Sequence, residues 1–175
     1  MGDAYLDIET TGLFWPEAEI TVVGIYLVHG FEDKLVQLVG EEITVKNLLE
    51  ALKDTNTIFT YNGKRFDLPF IKVTLGIDLE SIAIHHDLMY DCWRCNLYGG
   101  LKAVEQQLGI HRRLQGITGL DAVELWKRYI KYGDRKALSM LLEYNQEDVM
   151  NLRKLKERLP GPSTLAVVKN GGLPC

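Results

Sequence analysis

The sequence predicts an α/β fold, with a central mixed sheet of five to six strands flanked by helices and a helical C-terminal half. Three observations point there. The first 40 residues carry β-branched and aromatic runs separated by turn residues. A strand, a helix and another strand follow in succession, which is the pattern of a parallel crossover. Beyond Tyr90 the apolar residues recur at helical spacing. The 175 residues, 46% apolar and 25% charged, suit one globular core that can bury roughly 70% of the unfolded chain's surface. We assign residues 1–159 to that domain and 160–175 to a tail punctuated by Pro and Gly.

Ala4 to Ile8 reads as a short buried strand, and Glu19 to Val28 as a second, rich in Ile and Val. His29-Gly30-Phe31-Glu32-Asp33 supplies Gly and Asp for a turn, after which Lys34 to Val39 continues an antiparallel meander. Thr44 caps a helix through Asp54, and Thr57 to Tyr61 is the strand that completes the crossover. Asp67 is placed to cap a helix running to about Leu75, with Pro69 tolerated in its first turn. The segment ending His85-His86-Asp87-Leu88 supplies the last strand, and everything beyond Tyr90 reads helical. Asp121-x-x-Glu124 reads as a capping box ahead of a stripe of Ala122, Leu125, Trp126, Tyr129 and Ile130, which Gly133 ends. A long helix then spans Arg135 to Leu159.

A net charge of −4 argues against a protein that wraps nucleic acid by overall positive charge. The longest apolar stretch, Ile20 to Val28, is interrupted by Thr21 and Gly24 and falls far short of the roughly 20 residues a membrane helix needs. Met1-Gly2-Asp3-Ala4 lacks the basic and apolar segments of a secretory signal, and three cysteines make no disulfide framework, so no membrane and a cytoplasmic setting are expected. Cys92-x-x-Cys95 has no second pair to complete a zinc site and reads as structural, while Cys175 lies in the tail. His85, His86 and Asp87 are expected to satisfy local groups, with Asp87 beside the site. His111-Arg112-Arg113, Lys127-Arg128 with Lys131, and Arg153, Lys154, Lys156 and Arg158 read as solvated faces.

Four carboxylates resist that treatment. Asp7 and Glu9 are two apart in a strand, so both face one side while Leu6 and Ile8 face the other. Two adjacent negative charges repel unless a cation or proton sits between them. In the long helix, Leu152, Leu155 and Leu159 fall within about 40° of Leu141, Asp148 projects into the middle of that arc, and Tyr144 sits at its edge. A buried carboxylate there requires a hydrogen-bonding partner or a metal. Asp67 alone is a plain helix cap and gains weight only with Asp7, Glu9 and Asp148. Hard oxygen ligands of this kind suit Mg²⁺ or Mn²⁺, and two such ions about 4 Å apart can hold both the attacking and the leaving oxygen of an in-line phosphoryl displacement.

Three segments, Asp7-Ile8-Glu9-Thr10-Thr11-Gly12-Leu13, Tyr61-Asn62-Gly63-Lys64-Arg65-Phe66-Asp67 and Tyr144-x-x-x-Asp148, resemble in order the three motifs of the DEDD superfamily of 3′–5′ exonucleases, which have a ribonuclease-H-like fold. The second takes the form seen in proofreading domains of family B DNA polymerases. Leu101 to Gly109 and Asp121 to Tyr129 are similar to segments of predicted stand-alone exonucleases, and the likeness spans residues 5–152. The resemblance implies two divalent cations. Asp7, Glu9 and Asp148 would bind the one that activates water, Asp7 would bridge to the second, and Asp67 would hold that second ion partly through water. Tyr144, four residues before Asp148, places the chain in the tyrosine subclass and would orient the nucleophilic water. Thr10 through its backbone, Leu13 as a wedge against the terminal base, Asn62 and Phe66 beside the strand, and Lys64 and Arg65 near the scissile phosphate are the implied substrate contacts. The implied activity is hydrolysis of single-stranded 3′ ends, DNA favoured over RNA, to nucleoside 5′-monophosphates. Two rivals stay open. A non-catalytic nucleic-acid-binding or docking module of a replication or repair assembly would be favoured by loss of a carboxylate. A ribonuclease-H-like endonuclease would not need the Tyr144 arrangement or a wedge at Leu13.

Overall fold

In the computed structural model, which describes residues 2–30 and 32–160, β-branched and aromatic runs build one mixed sheet. Strands β1 (Gly2–Thr10), β2 (Ile20–His29) and β3 (Glu32–Val39) form the antiparallel meander. Strands β4 (Thr55–Thr60) and β5 (Ile84–Asp87) add parallel to the other side of β1, so that the five described strands run in the order β3-β2-β1-β4-β5. Helix α1 (Val45–Leu52) makes the crossover from β3 to β4, and the Thr44 hydroxyl accepts the Asn47 amide at 3.2 Å to start it. Helix α2 (Asp67–Leu75) links β4 to β5 and ends at Gly76, whose φ of 72° is open to a residue without Cβ.

The C-terminal half is helical as expected, in four pieces: α3 (Leu88–Arg94), α4 (Leu101–Gln107), α5 (Gly119–Tyr132) and α6 (Arg135–Arg158). Non-helical stretches at 95–100 and 108–118 interrupt it, where Gly99, Gly109 and Gly116 adopt positive φ. Alternation along β1 sets the layers. Ala4, Leu6 and Ile8 pack with Leu48, Leu52, Phe70 and Ile71 beneath α1 and α2. Tyr5 faces the other way, into a cluster with Phe59, Val149, Leu152 and Leu155 of α6. Asp7 and Glu9 therefore project towards α6.

Some local expectations are corrected. Phe66, not Asp67, is the residue that precedes α2, and the Asp67 carboxylate instead accepts the Ile8 amide of β1 at 3.0 Å. It does so because β1 pairs with β4 only as far as Tyr5, which leaves the Ile8 amide without a strand partner on that side. The capping box of α5 lies three residues earlier than expected, formed by Thr118 and Asp121, because the helix begins at Gly119. Ile130 is exposed; the stripe buries Ala122 and Leu125. Cys92 is a core residue whose thiol burial pushes up to about 12, in keeping with a structural reading. The expected tail, from residue 161 onward, and Cys175 lie outside the described residues. No described helix is long and apolar enough to cross a membrane.

Candidate active site

Strand β1 and helix α6 meet at three carboxylates. Each of Asp7, Glu9 and Asp148 offers an oxygen, and these atoms lie within 4.8 Å of one another. Glu9 and Asp148 are buried and Asp7 is half-buried. A shift in register between Glu9 and Thr10 marks a bulge at the end of β1, beside the cluster. Crowding raises every proton affinity there. Burial, then Asp148, Glu9 and Asp67, push Asp7 well above the usual carboxylate range, and burial and Asp148 do the same to Glu9. Burial raises Asp148 to about 6 against the lowering effect of Arg112, and raises Asp67 to about 7 despite the Ile8 amide.

A cation fits this cluster on an observation of the structure itself. The Oε1 atom of Glu9 is buried and has no hydrogen-bond partner among the described residues. An ionised carboxylate oxygen left bare in a protein interior is strongly disfavoured, and three hard oxygen donors suit Mg²⁺ or Mn²⁺. Asp67 stands outside the grouping, although its charge is felt by Asp7 and Glu9. Cys92 and Cys95 also lie outside it.

Tyr144 is buried beside the carboxylates, which together with burial raise its hydroxyl far above the ordinary phenol range and keep it protonated. That hydroxyl accepts a hydrogen bond from Lys102 Nζ at 2.8 Å, so its own proton is free to be donated. Asp7, Tyr144 and Asp148 line an open cleft of about 580 Å³ together with Asn62 and Lys102.

The remaining sequence candidates divide. Asn62 reaches the cleft from a turn in which its φ is 62°, held because Asp87 accepts the Asn62 amide at 2.8 Å and the Lys64 amide at 3.1 Å. Asp87 thus supports the site without joining the cluster. The Thr10 hydroxyl donates to the Gly12 carbonyl at 2.6 Å, and Leu13, in the loop that follows, is 70% exposed. Phe66 packs on Phe70 with ring centroids 5.5 Å apart and turns towards the core. Lys64 and Arg65 are exposed but do not line the cleft; Lys64 borders a smaller depression with His85, and Arg65 lies over the Trp93 ring. His85 bonds the Thr60 hydroxyl at 2.9 Å.

Several site residues escape a reading of the sequence alone. Asn145, fully buried, donates to the carboxylate of Asp7 at 3.3 Å and accepts from Gln37 at 3.0 Å. Gly24 of β2, directly opposite Asp7, makes room for it: a Cβ there would lie 2.7 Å from Asn145 Cγ. Arg112, expected on a solvated face, is half-buried and paired with both Glu105 and Asp148. Lys102 is the fourth. Glu105 carries the signal that could have found this network, since it is a carboxylate at an otherwise apolar position of α4, next to the buried Val104.

Comparison with known proteins identifies the fold. The family model described as the RNase_H superfamily matches residues 4–160. A Bacillus subtilis (strain 168) protein described as uncharacterized protein YprB is 29% identical over 167 residues; the match takes in 86% of this chain, which spans 40% of that relative's length. A solved structure described as the apo form of a nuclease superposes with a TM-score of 0.60 at 20% identity, over 97% of this chain and 75% of the other. The structure of Brucella melitensis NrnC does so with a TM-score of 0.56 at 22% identity, over 90% of this chain and 71% of the other. At those identities the two structures share the fold with this chain.

Proposed function

The chain belongs to the RNase_H superfamily, and from that premise we propose that it is a metal-dependent 3′–5′ exonuclease of the DEDD tyrosine subclass, acting on single-stranded ends with DNA favoured over RNA. The observation that carries this reading is the convergence of Asp7, Glu9 and Asp148, with a bare Glu9 oxygen, beside the protonated Tyr144 on an open cleft. Asp7, Glu9 and Asp148 would hold one divalent cation. Asp7 and Asp67 would hold a second, Asp67 through the oxygen not engaged by the Ile8 amide. Bound Mg²⁺ or Mn²⁺ supplies acidity to a water and charge stabilisation to a departing 3′ oxygen.

The chain's own side chains do the positioning. Tyr144 donates its free proton to orient the attacking water, and Lys102 fixes the hydroxyl from which that bond is made. Leu13, exposed on the loop leaving β1, is available to wedge against the terminal base, and Asn62 borders the strand's path. Water attacks the last phosphodiester, its P–O3′ bond breaks, the shortened strand keeps the 3′ hydroxyl and a nucleoside 5′-monophosphate leaves. The test is digestion of 5′-labelled single-stranded DNA and RNA with Mg²⁺ or Mn²⁺, alongside Asp7→Ala and Tyr144→Phe. A ladder shortening from the 3′ end and abolished by Asp7→Ala supports the reading. Internal cuts, metal-independent cutting or no cutting of either polymer overturns it.

A further inference from the structure

We propose that Arg112 is a positioning residue for the metal centre: a guanidinium bracket, anchored on Glu105, that holds the Asp148 carboxylate in the orientation a cation shared with Asp7 and Glu9 requires. The inference rests on the metal-centre reading above and adds a component that none of the three sequence motifs contains.

The geometry is that of a bracket. Arg112 Nη2 donates to Glu105 Oε1 at 2.9 Å and also to Asp148 Oδ1, while Nε donates to Glu105 Oε2. The side chains of Arg112, Glu105 and Asp148 are 9%, 1% and 8% exposed, so the contact is shielded from water and not a surface ion pair that forms and breaks freely. Glu105 is itself fixed, because Asn151 of α6 donates to it at 3.1 Å. The backbone that delivers Arg112 is fixed as well, since Glu147, one residue before Asp148, accepts the amides of Arg113 at 2.7 Å and Leu114 at 3.1 Å. Arg112 therefore has its orientation set by contacts that do not involve Asp148. One Asp148 oxygen is occupied by the bracket, which leaves the other for the cluster with Asp7 and Glu9.

Arg112 does not line the cleft that Asp7, Tyr144 and Asp148 share; it borders another cavity, of about 430 Å³, between α4 and the segment that follows it. It acts through Asp148, not on the strand. A guanidinium so near a cation site also repels the cation, and the two effects have opposite signs. Loss of a bracket weakens metal binding, whereas loss of a mere positive charge tightens it. Partners that orient metal ligands typically account for about 10- to 100-fold in affinity.

The experiment is a Mn²⁺ titration of the substrate-free protein, followed by calorimetry and by the electron paramagnetic resonance of free Mn²⁺, with thermal midpoints in EDTA as a folding control. The variants are Arg112→Lys, which keeps the charge without the two-sided fork, and the double variant Glu105→Gln with Arg112→Met. The double variant removes Arg112 and Glu105 together, so that Glu105 is not left as a buried charge without its partner as Arg112→Met alone would leave it, and only Asp148 loses its guanidinium. Both are expected to weaken Mn²⁺ binding by about 10-fold or more. Unchanged or tighter binding in either folded variant, while the parent protein binds Mn²⁺, overturns the role of Arg112 and leaves the exonuclease reading standing. A parent protein that binds no Mn²⁺ overturns the metal centre and this inference together.

Discussion

At the scale of single residues, the site is a set of groups whose protons are held too tightly. With a folded value of about 7 for Asp67 and about 6 for Asp148, against 3.8 in an exposed carboxylate, the metal-free folded chain binds protons that the unfolded chain releases. The contribution of these two groups to stability then falls as pH rises from about 4 to about 7, because deprotonation favours the unfolded state. In EDTA the thermal midpoint is expected to drop across that window, and Mg²⁺ is expected to restore it at pH 7 but not at pH 4. A midpoint that is flat or rises in EDTA contradicts the assignment. Tyr144→Phe would remove the oxygen proposed to orient the water and is expected to lower the rate by about 100- to 1000-fold, with little change in the metal concentration required, as read from single-turnover rates against Mg²⁺. Asp148 stands out in the sequence because a charge inside an apolar helical arc is conspicuous, and Asp7 and Glu9 because two carboxylates share one face of a strand. Arg112 does not stand out. Its place depends on the path of residues 108–118 across α6, and no periodicity encodes a path.

At the scale of elements, the site depends on how closely α6 lies on β2. Gly24 is opposite Asp7 in the sheet and directly beneath Asn145, so Gly24→Ala forces the Asn145 side chain out of its hydrogen bonds. The expected cost is about 1–3 kcal/mol in urea unfolding, accompanied by weaker Mg²⁺ stabilisation of the folded state. Asp134 starts α6 by accepting the amides of Lys136 at 3.1 Å and Ala137 at 3.0 Å. Asp134→Ala is expected to cost about 1 kcal/mol and to leave metal binding unchanged, since the frayed turn is more than two turns from Asp148. The elements themselves could be read from the sequence almost throughout, since alternation and helical spacing are local properties. The junctions were harder. Asp67 looked like a cap because of Pro69, yet the bond it makes is to a strand amide 59 residues away, and long-range pairing leaves no mark on local spacing.

At the scale of the whole molecule, the fold divides labour between the two faces of one sheet. Apolar residues of β1 fill the side beneath α1 and α2, and its carboxylates occupy the side beneath α6, so stability and chemistry draw on alternate residues of the same strand. The net charge of −4 ceases to argue against a nucleic-acid substrate, because the two divalent cations proposed for the site would supply an equal positive charge where a strand end would be captured. The most direct measurement uses a single strand labelled differently at its two ends, mixed with excess protein and Mg²⁺ and sampled within the first turnover. The account predicts that the 3′ label appears first, as a mononucleotide bearing a 5′ phosphate, and that EDTA or Asp7→Ala abolishes its release. Earlier release of the 5′ label, internal fragments, or release unchanged by EDTA would contradict it.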